Sequence, residues 1–128
     1  MSEAFPAELK QFIAQHVESL AQLEALLILR QNPEQHWQSA ELAQRLYITP
    51  DMCEAILADL ERRGFAARAS DGGAYHYQSR DPAVDRLIDD LATVYQQRRV
   101  AVITEIYSKP VTKVQTFADA FRLRREEQ

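Results

Sequence analysis

Apolar side chains recur at helical spacing through most of the chain, and the breaks between stripes fall on residues that start or stop helices. Residues 6–17 place Leu9, Phe12, Ile13 and Val17 on one face, behind Pro6, which suits a first helical position. Ser19 is the expected N-cap of a second helix. There Leu20, Leu23, Leu26, Leu27 and Leu29 leave little polar surface, as in a central core helix. It should end before Pro33, because a residue ahead of proline is steered out of helical geometry. A short helix over 39–46 turns Leu42, Ala43 and Leu46 inward, and Tyr47-Ile48-Thr49 makes a turn. Thr49, Pro50 and Asp51 then open a helix whose apolar side is Met52, Cys53, Ile56, Leu57 and Leu60. Arg62 and Arg63 suit its negative end, and Gly64 its left-handed stop.

Two short runs, 65–69 and 74–78, flank Asp71-Gly72-Gly73 and predict a β-hairpin. Ala66-Ala67-Arg68-Ala69 has poor strand propensity, so its strand is inferred from context. Asp81 and Pro82 open a long helical pattern in which Val84, Leu87, Ile88, Leu91, Val94 and Tyr95 repeat at spacings of three and four. The polar group Gln96-Gln97-Arg98-Arg99 interrupts the stripe before Val100-Ala101-Val102-Ile103 resumes it. A helix continuous to Ser108 would be about 40 Å long at ~1.5 Å per residue, more than the preceding domain can cover. That surplus predicts a dimer. Beyond Pro110, Val111, Val114, Phe117, Ala118 and Phe121 would share one side of a last short helix. The expected division is a flanking helix in 1–18, a domain in 19–80, and a long helix with a basic amphipathic tail in 81–128.

The 128 residues, 46% hydrophobic and 27% charged, fit one ordinary packed domain with an appendage. Three glycines and five prolines are too few for an all-β sandwich, whose turns recur every ~8–12 residues. A single cysteine excludes an intramolecular disulfide framework and a Cys-rich zinc site. No apolar run approaches the ~20 residues of a membrane span, and Glu3 without an apolar stretch predicts no signal peptide, so the cytoplasm is the expected compartment. A net charge of −4 gives no overall attraction to nucleic acid or anionic lipid.

Helix, short helix, tight turn, helix and hairpin make a winged helix-turn-helix. Within 20–78, SAELAQRLYITPDMCEAILADLERRGF and the DGG wing tip resemble the MarR-like bacterial winged-helix transcriptional regulators. Leu57-Ala58-Asp59-Leu60-Glu61-Arg62-Arg63-Gly64-Phe65 carries most of the likeness. The resemblance covers under half of the chain. It implies a mainly α fold with a small hairpin, helices flanking the domain that form a homodimer, and a second motif helix lying in the DNA major groove.

That helix departs from DNA readers. Its expected outer surface is Asp51, Met52, Glu54, Ala55 and Asp59, where amides, hydroxyls and cations would meet bases and phosphates. The wing tip adds Asp71 and no cation. Residues 34–80 hold seven acids against five bases, a net of −2. Arg45, Arg62, Arg63 and Arg68 are the candidates for phosphate contact if DNA is bound at all. Cations gather instead at Arg98, Arg99, Lys109, Lys113, Arg122, Arg124 and Arg125. Val114, Phe117, Phe121, Arg122, Arg124 and Arg125 are therefore candidates for tail docking, either on the protein's own dimer or on a partner. His16, His36 and His76 sit on separate elements without metal-ligand spacing, Cys53 falls at a core position, and no nucleophile–base set can be read locally. Neither a catalytic site, a metal nor a cofactor is expected. The sequence thus predicts a non-enzymatic regulator acting mainly through an unidentified protein partner. The alternative is a sequence-specific DNA-binding repressor or activator.

Overall fold

The computed structural model describes residues 6–70 and 73–108. Its elements are α1 (Ala7–His16), α2 (Leu20–Gln31), α3 (Ser39–Leu46), α4 (Pro50–Arg62), β1 (Ala66–Arg68), β2 (Tyr75–Tyr77), α5 (Pro82–Gln97) and α6 (Arg99–Tyr107). The predicted caps hold three of these helices at their starts. Ser19 Oγ accepts from Gln22 N at 3.1 Å, Thr49 Oγ1 from Met52 N at 3.1 Å, and the Asp81 carboxylate from Ala83 N at 2.7 Å. Each satisfies a backbone donor that the first turn leaves without a helical partner.

The nearly all-apolar α2 lies at the centre. It buries Leu23, Ala25, Leu26, Leu27 and Leu29 and packs against α3, α4, α5 and β2. The hairpin is antiparallel, with Ala66 opposite Tyr77 and Arg68 opposite Tyr75. Trp37 extends it: its backbone N–H donates to Tyr75 O at 2.7 Å, and Tyr75 N–H donates back to Trp37 O at 2.8 Å. Trp37 therefore ties the chain ahead of α3 to the wing as well as plugging the core, where it is buried with Tyr75 and Tyr77. Among the described residues, no single helix is long and apolar enough to cross a membrane.

The pattern over 81–108 is divided rather than continuous. Arg98 leaves helical geometry (φ −136°, ψ 58°), and α6 packs on α1 as well as on α5. The polar run Gln96-Gln97-Arg98-Arg99 gives a straight helix nothing apolar to bury, whereas the break lets Val102 and Ile106 enter the core. Polar contacts fix the new direction. The Tyr107 hydroxyl accepts from Leu20 N at 2.8 Å, and the Tyr95 hydroxyl donates to Glu24 at 2.6 Å. Much of the apolar surplus assigned to a dimer is thus covered within the chain, although Val100 stays 76% exposed and Tyr107 47%. The basic amphipathic tail, with Val114, Phe117, Phe121, Arg122, Arg124 and Arg125, lies outside the described residues, as do Asp71 and Gly72 of the wing tip.

Two residues have positive φ where a helix stops. Gly64 ends α4 at φ +89°, as its position predicts. Tyr47 ends α3 at φ 59° without being glycine, and holds a left-handed conformation that costs a side chain-bearing residue roughly 1–2 kcal/mol. A Cβ at Gly64 would lie 3.3 Å from the aliphatic part of Arg80. Gly64→Ala is expected to lower stability by about 1–2 kcal/mol, mainly through backbone strain. Urea denaturation measures the loss, and an unchanged midpoint would show that the turn tolerates the substitution.

Candidate functional site

The outward side of α4 begins at the turn with Tyr47 and continues along the first half of the helix. Asp51, Met52 and Ala55 are exposed there, and Tyr47, which the sequence reading takes only as a turn residue, is 94% exposed beside them. Cys53, Leu57 and Leu60 fill the opposite side and anchor α4 in the core. The free surface of the first half of this helix therefore offers one carboxylate, a thioether, a methyl and an adjacent phenol ring, while Glu61 and Arg62 are exposed at its far end. None of the groups in the first half is a cation that would hold a helix against phosphates.

Glu54 and Asp59, expected on the same outer surface, are occupied within the molecule. The Glu54 carboxylate accepts from the Ser39 hydroxyl at the start of α3, from Arg68 of β1 at 2.6 Å, and from the Tyr75 hydroxyl of β2 at 2.8 Å. The hydrogen bonds from Ser39 and then Tyr75 lower its pKa; burial opposes them and the Arg68 charge assists. One carboxylate thus joins both helices of the motif to both strands of the wing.

Asp59 does the same at the other end of α4. It accepts from Gln22 Nε2 at 2.6 Å, Arg62 at 2.6 Å and Arg63 Nε at 2.7 Å. Arg63 continues to Glu18 at 2.8 Å and to the Gln15 carbonyl at 2.9 Å, so the end of α4 is stapled to the corner between α1 and α2. Gln22, buried in the core, is satisfied on both sides, since its Oε1 accepts from Glu18 N at 2.5 Å.

The arginines proposed for phosphate contact are distributed accordingly. Arg62 and Arg63 pair with Asp59, and Arg68 pairs with Glu54 while lying over the Tyr75 ring. Arg45 lies over the Trp37 ring at 5.5 Å and has no acidic partner among the described residues. The structure therefore brings Arg68 to the side of α4, turns Arg63 toward Gln15 and Glu18, leaves Arg62 70% exposed beside Asp59, and leaves Arg45 at the end of α3.

Other candidate chemistry stays structural. Cys53 is buried, and burial followed by the Glu54 charge pushes its thiol up to about 11, away from the reactive range. His36 and His76, far apart in sequence, stack at 4.7 Å near the base of the wing. His16 sits edge-on to Phe65, and burial, then Arg80 and Arg63, lower its pKa, so it is neutral at pH 7. It borders a groove of about 560 Å³ between α1 and the start of α5, floored by Phe12, Val84 and Leu87. Among the described residues, no three His, Cys, Asp or Glu side chains gather as metal ligands.

The Asp59 cluster has a defined pH signature. Burial pushes its carboxyl pKa up, but hydrogen bonds and charge from Arg63, then Arg62, outweigh this and hold it below the usual range. A carboxyl depressed by folding contributes stability above its unfolded pKa and loses that contribution as pH falls through the folded value. Asp59→Asn is expected to cost about 2 kcal/mol at pH 7 and progressively less below about pH 4. Urea denaturation at pH 7 and pH 3 tests this, and an equal cost at both would contradict it.

Neither a protein-family model nor a curated protein matches this sequence. Solved structures do match its fold. A MarR family protein of Mycobacterium tuberculosis is 21% identical, with a TM-score of 0.51 over 90% of this chain and 86% of that one. MepR of Staphylococcus aureus, a transcription regulator of the multidrug efflux pump MepA, is 16% identical, with a TM-score of 0.52 over 94% and 91%. A MarR family protein from Bacillus stearothermophilus is 20% identical, with a TM-score of 0.50 over 94% and 85%. The chain has the winged-helix fold of the MarR-family transcriptional regulators, as its motif helices and hairpin predicted.

Proposed function

We propose that this chain is a non-enzymatic, transcription-regulator-like protein of the cytoplasm that works as a homodimer, mainly through protein contacts of its helix-turn-helix face. The observation that carries this reading is the composition of that face. Tyr47, Asp51, Met52 and Ala55 are exposed on it, while Arg62, Arg63 and Arg68 are engaged by the protein's own carboxylates. An exposed aromatic beside a thioether is suited to a protein partner, because apolar anchors supply much of the energy of such interfaces. Duplex DNA would have to break ion pairs to recruit Arg62, Arg63 or Arg68 and would gain little from Asp51. The fold shared with proteins described as transcription regulators supports a regulatory role.

For the dimer, support comes from α6, where Val100 is exposed, Ile103 is half-buried and Tyr107 is half-exposed along one side. Spacings of three and four put them on a common stripe, which a second copy would cover. The second reading, sequence-specific DNA binding, is favoured by Arg45, which has no acidic partner among the described residues.

One measurement decides between these readings and a second tests the dimer. With random-sequence duplex DNA, log K against log salt should have a slope smaller in magnitude than about 2, whereas six phosphate contacts would give about 5. Micromolar affinity with the steeper slope would establish the DNA-binding reading. Light scattering should give twice the 14.7 kDa chain mass, and Val100→Asp should shift the equilibrium toward monomer. A constant mass of 14.7 kDa at all concentrations would remove the dimer.

A further inference from the structure

The contacts of Glu54 form a small anion site whose occupant is part of the chain. Ser39, Arg68 and Tyr75 come from α3, β1 and β2 and converge on one carboxylate. A hydroxyl, a guanidinium and a phenol aimed at a shared pair of oxygens are also the donors that hold a nucleic-acid phosphate. The site lies between the second motif helix and the wing, the two elements a winged helix sets against a duplex. It is not sealed, since the Arg68 side chain is 47% exposed and that of Glu54 43%.

We propose that Glu54 acts as a built-in counter-anion, holding Ser39, Arg68 and Tyr75 in a latent site for a DNA backbone phosphate, and that withdrawing its charge turns the head into a phosphodiester binder. The same carboxylate opposes DNA twice over: it cancels Arg68 and it adds a negative charge beside the position a phosphate would take. Because the pair is half-exposed, its contribution to stability is small. A basic side chain of a partner that took over the carboxylate would free Arg68, so protein contact and DNA contact would be coupled through one residue. This inference concerns a site that the proposed function does not use. It is tested on variants, whereas that reading is tested on the unaltered protein.

The experiment measures binding of Glu54→Gln, Arg68→Gln and the double variant to a random-sequence duplex across a salt series, with thermal melts confirming folding. Glu54→Gln is expected to bind about tenfold more tightly at low salt, with a log K–log salt slope steeper by about one. Arg68→Gln should abolish that gain in the double variant; made alone it leaves the Glu54 charge uncompensated and should bind no more tightly than the unaltered protein. The proposal is overturned if folded Glu54→Gln binds no more tightly, if the gain survives Arg68→Gln, or if Arg68→Gln alone binds more tightly than the unaltered protein. If Glu54→Gln does not fold, Glu54→Ala takes its place, with the same expected gain and the same contradicting outcomes. A gain for inorganic phosphate without one for the duplex would also overturn it.

Discussion

Glu54 and Asp59 stand toward opposite ends of the second helix of the motif, and each gathers three side-chain hydrogen bonds from elsewhere in the domain or the same helix. Apolar packing of Cys53, Leu57 and Leu60 presses α4 onto the core, but packing alone leaves its rotation and the wing's position loosely specified. The carboxylates supply that specification. Glu54 registers the helix against α3 and the hairpin, and Asp59 registers it against α1 and α2 through Gln22 and Arg63. Charge-assisted hydrogen bonds have narrow geometry, so two such clusters at separate points along a helix fix its orientation.

The same clusters set the character of the surface. Had the arginines projected freely, the head would present a basic rim despite its net negative count, because local field rather than total charge governs encounters with DNA. Arg62, Arg63 and Arg68 are paired and contribute dipoles instead of a positive field, which leaves Arg45 at the end of α3 without an acidic partner among the described residues. What remains outward at the start of α4 is an aromatic, a thioether and a carboxylate. Fold and surface therefore point in different directions: the architecture matches transcription regulators, while the side chains suit a partner with apolar anchors. Fold likeness alone does not carry function across that difference.

Most of the architecture is legible in the sequence because caps, stops and apolar spacing are local signals. Ser19, Thr49, Asp81 and Gly64 sit where their chemistry is needed, and the helices begin and end accordingly. The break at Arg98 was half-visible: the polar run interrupting the stripe marks it, but its direction depends on a tertiary reward, the burial of Val102 and Ile106. The site is less legible. Asp59 lies three and four residues before Arg62 and Arg63, a spacing that does predict helical ion pairs. No comparable signal links Glu54 with Arg68 and Tyr75, which meet only once the hairpin folds onto α4. The Trp37–Tyr75 bridge and the His36–His76 stack are hidden for the same reason, since they depend on contacts between distant segments.

The most direct test of this account follows the backbone amide resonances of the protein while duplex DNA is added at low salt. With Arg62, Arg63 and Arg68 internally paired, the amides of residues 49–62, 66–68 and 75–77 should shift no more than those of the remaining surface. Concerted, saturable shifts confined to α4 and the hairpin would mean that this face engages the duplex as it stands, and would contradict the account.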